Sequence, residues 1–269
     1  MLPRHAVSAL RNAFRSPGSR IFGVRFALDY LRFAARCARS WGHTGPGRVK
    51  LVGLDIAYPN QSHALFLVHE VFVQAVYAFR SGSAAPFIID CGANVGFTTL
   101  FFTKLFPGAR IVAVEPEPGT AAWLRGNVEG NAAAGGVRIV EAAVAGREGT
   151  VTLFAPETDP GSMTSSTREE WTAGAGTEVR AIRLSSLIDA PVDFLKLDVE
   201  GAEYEVLREL VATGAIARVR ETTIEYHPLA SEPEGADALA ALLAGAGMGV
   251  SVTPGEPGQP GIIHARRPA

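Results

Sequence analysis

The chain is poor in the residues that form structural disulfides and metal sites. It has two cysteines in 269 residues, Cys37 and Cys91, and no Cys-x-x-Cys or His-x-x-x-His spacing. Cys91 lies in a glycine-containing segment where a disulfide would be awkward, so we predict a reducing, cytoplasmic setting. Scattered carboxylates could hold magnesium, but no spacing calls for a metal ion, and we predict none.

Long apolar runs are also missing near the start of the chain. A helical pattern at 21–41 is interrupted by arginines before it could span a bilayer, and no signal-peptide core with a cleavage site is evident. Its charged stripe suits peripheral contact with an anionic membrane, or a solvated face on a helix packed against the domain. We favour the second. The stripe consists of Arg25, Asp29, Arg32, Arg36 and Arg39.

Beyond residue 50, the chain lacks the excess of basic residues that a broad nucleic-acid-binding face requires. Its net charge is −2, and the first 50 residues hold ten of the 25 Lys and Arg but only one of the 27 Asp and Glu. The rest of the chain is therefore acidic, which argues against a nucleic-acid partner. No Asn-Pro-Pro-Tyr-type motif, typical of enzymes that flip a base, follows the fourth core strand.

The most informative feature that is present is a glycine-containing turn at 90–96. It follows the apolar run 87–89 and precedes a helix-like stretch at 97–106. Glycines let the backbone approach a ligand, and the helix start offers free N–H groups. A second apolar run, 111–114, ends in Glu115 and Pro116. An acid placed about 20 residues beyond the turn can accept both ribose hydroxyls of an adenosine-type ligand.

The glycine spacing distinguishes between nucleoside cofactors. A dinucleotide site needs Gly-x-Gly-x-x-Gly, and here the three positions hold Gly92, Asn94 and Phe97. The observed spacing suits a ligand without phosphate, whose amino-acid end carries an ammonium for an acid to meet. S-adenosylmethionine has that shape, whereas the plainer alternative is two ordinary βα turns. We predict that this cofactor contacts Asp90, Cys91, Gly92, Ala93, Asn94, Gly96, Glu115, Pro116 and Asp198.

The core alternates strands and helices, which predicts a mostly parallel sheet covered on both faces. A helix at 69–79 precedes it, and a hairpin near 248–253 and 261–266 closes it. Between 144 and 188 the alternation breaks, and 150–154 and 179–184 read as an extra strand pair. The polar stretch 155–177 between them is either a lid or a surface insertion. As a lid, it would cover the acceptor, the substrate that receives the methyl group of the cofactor, with Ser165 and Ser166 as contacts.

Charged residues cluster at the end of the strand near 192–198. Lys196, Asp198 and Glu200 alternate with apolar residues there, so they should meet solvent, one another or a ligand. We expect Lys196 to pair with a carboxylate. Methyl transfer to a hydroxyl requires alignment and removal of a proton. Asp198 is the first candidate for orienting cofactor and acceptor, Glu200 lies beside it, and His227, at the end of the next strand, is a candidate base.

Four segments together resemble the FkbM family of S-adenosylmethionine-dependent methyltransferases: 89–96, 114–116, Asn127 with Asn131, and 193–203. The resemblance implies a class I methyltransferase (Rossmann-like) α/β fold, a seven-stranded sheet whose last strand is antiparallel. It also implies O-methylation of a sugar, glycolipid or secondary metabolite, hence a small-molecule or saccharide acceptor. Asp90 and 92–96 match its cofactor loop, Glu115 its ribose acid, and Asp198, Glu200 and Glu203 its acidic segment.

The resemblance has limits that shape the domain prediction. Cys91 stands where valine or another small residue is usual, and the first 50 residues match nothing in the family. We therefore divide the chain into a basic extension with an amphipathic helix, 1–48, and a methyltransferase domain, 49–269. Two other functions remain open: methylation of another acceptor class, such as nucleic acid or protein, and a catalytically inactive binding protein with a cofactor fold.

Overall fold

The computed structural model describes residues 16–40, 45–131, 135–154, 165–167 and 176–268. Its first half contains α1 (Pro17–Arg39), β1 (Gly47–Leu51), β2 (Leu54–Tyr58), α2 (Gln61–Leu67), a π-helical segment (Val68–Gln74), β3 (Phe87–Cys91), α3 (Phe97–Leu105), β4 (Arg110–Val114) and α4 (Pro118–Glu129). Its second half contains β5 (Val137–Val140), β6 (Ala143–Ala145), β7 (Gly149–Phe154), β8 (Gly176–Arg183), β9 (Phe194–Leu197), α5 (Glu203–Ala212), β10 (Glu221–Tyr226), α6 (Ala236–Gly245), β11 (Gly249–Thr253) and β12 (Gly261–Arg266).

The central sheet has seven strands in the order β11-β12-β10-β9-β3-β4-β5. The run from β10 through β9, β3 and β4 to β5 is parallel, whereas β12 is antiparallel to both β10 and β11. The predicted seven-stranded sheet with an antiparallel last strand is therefore confirmed. Parallel strands place all their carboxyl ends at one edge, so the glycine turn after β3 and the acids after β4 and β9 gather there.

Apolar clusters cover both faces of the sheet, because side chains alternate along each strand. Ile88 and Phe194 pack with aromatic residues of α1, α3 and the π-helical segment. Their neighbours Ile89 and Leu195 belong to the opposite cluster, with side chains of α5 and α6. Fully buried β3 and β9 thus form the middle of the fold and fix the position of the turns that follow them.

Helix α1 packs against the domain through one apolar side. Phe26, Tyr30 and Phe33 are buried in the same cluster as the aromatic residues of α3. Its other side exposes Val24 and Leu28 among arginines. The helix is thus packed against the domain with one face exposed, as in the interpretation that we favoured, and membrane contact stays the alternative. The boundary at residue 48 stays a prediction. In the described ranges, no helix combines the length and the apolar character needed to cross a membrane.

The hairpin of β1 and β2 is attached to α4 by two buried asparagines. The side chain of Asn127 accepts from the N–H of Ala57 (2.7 Å) and donates to the carbonyls of Ala57 and Val95 (both 2.8 Å). Asn131 bonds the backbone of Asp55 in the same manner. These amides replace water for backbone groups of an edge strand and of the glycine turn, which explains why amide side chains stand there.

Two predicted elements differ in outcome. The extra strand pair is confirmed, since β7 and β8 run antiparallel beside the short β6. The helix predicted at 69–79 is wrong at both ends. Asn60 caps a helix that starts at Gln61, and the π-helical segment stops at Gln74 because Ala75 takes a left-handed conformation with φ 53°. Neither glycine nor proline marks that stop. Residues 155–164 and 168–175 of the proposed lid lie outside the described ranges.

Candidate active site

A cleft of about 600 Å³ opens at the carboxyl edge of the central sheet. Its walls come from the turn after β3, the ends of β4, β9 and β10, and the π-helical segment. This location is where open α/β sheets bind ligands. The volume falls within the range of about 300–1,000 Å³ typical of small-molecule sites.

The glycine turn takes left-handed backbone conformations at three positions: φ is 79° at Gly92, 50° at Asn94 and 98° at Gly96. Within it, the N–H groups of Gly92 and Ala93 donate to the carbonyl of Val114 at 3.0 and 2.9 Å, which ties the turn to β4. A β-carbon on Gly92 would lie 1.8 Å from the carbonyl oxygen of Asp198. Glycine is therefore required at 92, because the end of β9 passes directly against it.

The carboxylate of Glu115 lies at the end of β4 and lines the cleft. Oε2 accepts from the N–H of Asn94 at 2.9 Å, and Oε1 accepts from the N–H of Glu117 at 3.0 Å. Burial raises the pKa of Glu115 to about 7, although both backbone bonds favour the ionised form. Each oxygen keeps acceptor capacity, so two hydroxyl donors from a ribose could bind this carboxylate.

Lys196 lies under the glycine turn and is buried. Its Nζ donates to the carbonyls of Cys91 and Gly92 at 3.3 and 2.9 Å and to Oδ2 of Asp198 at 3.0 Å. Oδ1 of Asp90 is 3.7 Å away. Burial opposes the charge, but Asp198 and Asp90 outweigh it and raise the pKa of Lys196 above its ordinary value. The predicted pairing of Lys196 with a carboxylate is confirmed.

Replacing Lys196 by methionine should lower the free energy of unfolding by about 3 kcal/mol, because it leaves the buried carboxylate of Asp90 without a cation. Urea denaturation measures the change. Adding Asp90→Asn to Lys196→Met removes that uncompensated charge and should recover at least about 1 kcal/mol. A double variant as unstable as the sum of the two single variants would contradict this account of the pair.

The turn after β9 brings Glu200 to His227. Glu200 has a left-handed backbone with φ 50°, and Gly201 follows with φ 98°. Oε2 of Glu200 lies 3.2 Å from Nε2 of His227, and Oε1 of the buried Glu203 lies 3.0 Å from Nδ1. His227 is thus paired through both ring nitrogens. Asp198, Glu200 and His227 each offer one possible metal-ligand atom, and these three atoms lie within 4.8 Å of one another. The spacing of these residues in the sequence did not indicate such a cluster.

The cleft is also lined by residues that the sequence analysis did not predict. Glu70 and Tyr77 line the wall from the π-helical segment and the stretch after it. Burial raises the pKa of Glu70 to about 7, and nearby Asp198 adds to the shift. The hydroxyl of Tyr77 donates to Oε2 of Glu225 at 3.3 Å. No motif surrounds Glu70, and only its contacts across the fold bring it to the site. Glu225 and His227 line the same cleft, because residues two apart along a strand point to the same side.

The structure separates the predicted cofactor residues into two groups. Asp90 and Cys91 are fully buried, and Gly96 caps α3 behind the wall, so these three hold the turn from beneath. Thr99 donates to Oδ2 of Asp90 at 2.6 Å, which leaves that carboxyl facing Lys196 rather than the cleft. The other predicted cofactor residues line the cleft: Gly92, Ala93, Asn94, Glu115, Pro116 and Asp198. The predicted catalytic residues Glu200 and His227 line it as well. Their individual roles remain predictions.

The two serines of the proposed lid lie in different places. Ser165 lines the cleft. Ser166 is buried, and its hydroxyl donates to the carbonyl of Glu200 at 2.6 Å. Its backbone also pairs with Phe154 at the end of β7. Ser166 therefore supports the turn that carries Glu200. The contact between Ser165 and an acceptor stays a prediction.

Comparisons with known proteins identify methyltransferases. The chain is 29% identical over 238 residues to Methyltransferase sdnD of Sordaria araneosa, covering 76% of this chain and 90% of that protein. It is 31% identical over 166 residues to Methyltransferase 1 of Beauveria bassiana (strain ARSEF 2860), covering 54% and 66% respectively. The crystal structure of Methyltransferase FkbM from Methylobacillus flagellatus KT matches with a TM-score of 0.50 and 14% identity, covering 91% of this chain and 60% of that one. At that identity the match shows the fold alone.

The strand order and the cleft at the sheet edge define a class I methyltransferase. The chain belongs to the Methyltransferase FkbM domain family, whose model matches residues 90–247. It is an enzyme of the methyltransferase class, and its cofactor is S-adenosylmethionine. The cleft fits that group, because Glu115 has free acceptor capacity beside the open turn at 92–96.

Replacing Glu115 by glutamine should weaken S-adenosylmethionine binding about 10- to 100-fold. A charge-assisted hydrogen bond contributes about 1.5–3 kcal/mol, and the amide retains only one acceptor oxygen for the ribose. Isothermal titration calorimetry measures the dissociation constant. Glu117→Gln is the matched control, because Glu117 caps α4 and does not line the cleft. Equal affinities of the two variants would contradict ribose binding by Glu115.

Proposed function

We propose that the protein transfers the methyl group of S-adenosylmethionine to a hydroxyl of a sugar, glycolipid or secondary metabolite. The observation that carries the proposal is the pair of Glu200 and His227, which lies with Asp198 in the cleft that the glycine turn lines. A hydroxyl needs such a proton acceptor, because an alcohol is a weak nucleophile until its proton leaves. Among the described residues, the cleft lining contains no arginine that could neutralise phosphates, and its lysine, Lys196, is already paired, which supports a small-molecule acceptor over a polyanion such as RNA. Four carboxyl groups line the cleft instead: Glu70, Asp198, Glu200 and Glu225.

The residues that would hold the cofactor lie along one wall of the cleft. Glu115 would bind the ribose, and the backbone of 92–94 would lie against the amino-acid end. When bound, S-adenosylmethionine supplies a methyl group on a positively charged sulfur. The protein has to align the acceptor oxygen with that methyl and keep water away. Asp198, which accepts a hydrogen bond from Lys196, would orient both molecules.

The proton of the acceptor hydroxyl would pass to Glu200 rather than to His227. Burial lowers the pKa of His227, but the carboxylates of Glu203 and Glu200 outweigh burial and raise that pKa well above its ordinary value. His227 is then a cation at neutral pH and cannot accept another proton. Burial and nearby Asp198 raise the pKa of Glu200 to about 8, so the fraction of its basic form, which can take up the hydroxyl proton, grows as the pH rises toward that value. The imidazolium of His227 balances the charge on Glu200.

A product assay tests this function. The purified chain would be incubated with labelled S-adenosylmethionine and with separate pools of sugars, glycolipids, secondary metabolites, RNA and protein. We expect S-adenosylhomocysteine to accumulate with a hydroxyl-bearing pool, and the NMR spectrum of the product to show a methoxyl signal. Methyl transfer to nitrogen, or turnover confined to RNA or protein, would contradict the proposal.

A further inference from the structure

We propose that Glu203 is a positioning residue that assembles the pair of Glu200 and His227 without touching either substrate. This inference depends on the proposed function only for the role of that pair. Glu203 is fully buried at the first position of α5, and it does not line the cleft. Its effect on the reaction must therefore pass through the residues it holds.

The hydrogen bonds of Glu203 reach two different parts of the site. Oε1 accepts from the N–H of Val199 at 3.1 Å, and both carboxyl oxygens accept from the N–H of Gly201 at 3.1 Å. The same Oε1 lies 3.0 Å from Nδ1 of His227. One buried carboxylate thus joins the turn after β9 to the end of β10.

The bonds to Val199 and Gly201 stabilise the backbone on each side of Glu200. A left-handed conformation is costly for a residue with a β-carbon, and φ at Glu200 is 50°. The N–H groups of the residues before and after Glu200 donate to the carboxylate of Glu203. The carbonyl of Glu200 accepts from the hydroxyl of Ser166 at 2.6 Å. This conformation places the Glu200 side chain 3.2 Å from Nε2 of His227.

The bond to His227 fixes the orientation of the imidazole. A carboxylate at Nδ1 keeps a proton on that nitrogen and points Nε2 toward Glu200, as carboxylates that orient catalytic histidines do. The other charged groups that act on the carboxyl of Glu200 or the imidazole of His227 are Asp198, Lys196, and Glu225 on β10. Glu203 is distinguished from them by its direct bond to Nδ1 and its complete burial.

The variant Glu203→Gln tests the inference, because it keeps the size of the side chain and removes its charge. We expect kcat to fall at least tenfold while the KM for S-adenosylmethionine changes less than twofold. We also expect the ¹⁵N NMR signals of His227 at neutral pH to show loss of the Nδ1 proton from a substantial fraction of the rings. Glu205→Gln is the control, since Glu205 lies two residues further on α5 and is exposed.

A second variant keeps the test decisive if glutamine disturbs folding. Glu203→Asp retains the charge but shortens its reach, so both effects should be smaller than in Glu203→Gln. Unchanged His227 signals in both variants would overturn the inference. A parallel loss of kcat and cofactor binding, or failure of both variants to fold, would also overturn it, because either result would indicate a structural role alone. The NMR measurement needs no acceptor, so it is separate from failure of the product assay.

Discussion

Replacing Glu200 by glutamine is expected to lower kcat by about 10²–10⁴-fold, the range usual for loss of a general base. Glutamine has nearly the same shape but cannot accept the hydroxyl proton. The dissociation constant of S-adenosylmethionine should change little, because in our proposal Glu115 and the backbone of 92–94, not Glu200, hold the cofactor. Steady-state kinetics and calorimetry measure the two quantities, with Glu205→Gln as a charge-matched control on the exposed side of α5.

The pH dependence gives a second measure of the same group. Burial and nearby Asp198 raise the pKa of Glu200 to about 8. A raised carboxyl pKa means that the basic form is scarce below this value, so kcat should increase as the pH rises from 6 toward 9. Glu200→Gln should lose this rise. A variant with near-normal kcat, or one that keeps the full pH profile, would show that another group accepts the proton.

Replacing Gly92 by alanine is expected to weaken S-adenosylmethionine binding by at least about 100-fold. The new β-carbon would lie 1.8 Å from the carbonyl oxygen of Asp198, and φ at this position is 79°. Backbone atoms cannot move aside as a flexible side chain does, so the turn and the end of β9 would separate. Calorimetry measures the affinity, and urea denaturation reports the accompanying loss of stability.

Gly126→Ala is the matched control for this substitution. Gly126 lies in the middle of α4 with open space around its position. Alanine favours a helix there by up to about 1 kcal/mol, so stability should rise slightly and affinity should not change. If Gly92→Ala bound the cofactor as well as Gly126→Ala does, the close contact between the turn and β9 would not matter for binding.

Much of the fold follows from local sequence patterns. Buried parallel strands are short apolar runs, and those of β3 and β4 end in acids at the points where the backbone turns. The residues after these strands therefore mark the edge of the sheet where a ligand binds. The same reasoning located Glu115, Asp198, Glu200 and His227 in one cleft before any contact was known.

The rest depends on contacts between strands that are distant in sequence. Asp90 was expected to meet an ammonium of the cofactor, but it lies in register with Lys196 of β9, 106 residues later, and faces that cation. Strand register of this kind is set by the packed sheet, not by the local pattern. Glu70 was not predicted as a site residue for a similar reason. It reaches the cleft from the π-helical segment, whose end at the left-handed Ala75 no sequence pattern marks.

The hydrogen bonds of the Lys196 ammonium limit which residues can be varied to change the acceptor specificity of the enzyme. It donates to two carbonyls of the glycine turn and to the carboxylate of Asp198. The turn proposed to bind the cofactor and the carboxylate proposed to orient the acceptor are therefore joined by one cation. Phe66 lines the same cleft from α2 and is not among the groups that Lys196 bonds. Libraries aimed at new acceptors should therefore begin at Phe66, where a change of shape leaves these hydrogen bonds in place, whereas a change at Glu70 also alters the charge that acts on Asp198.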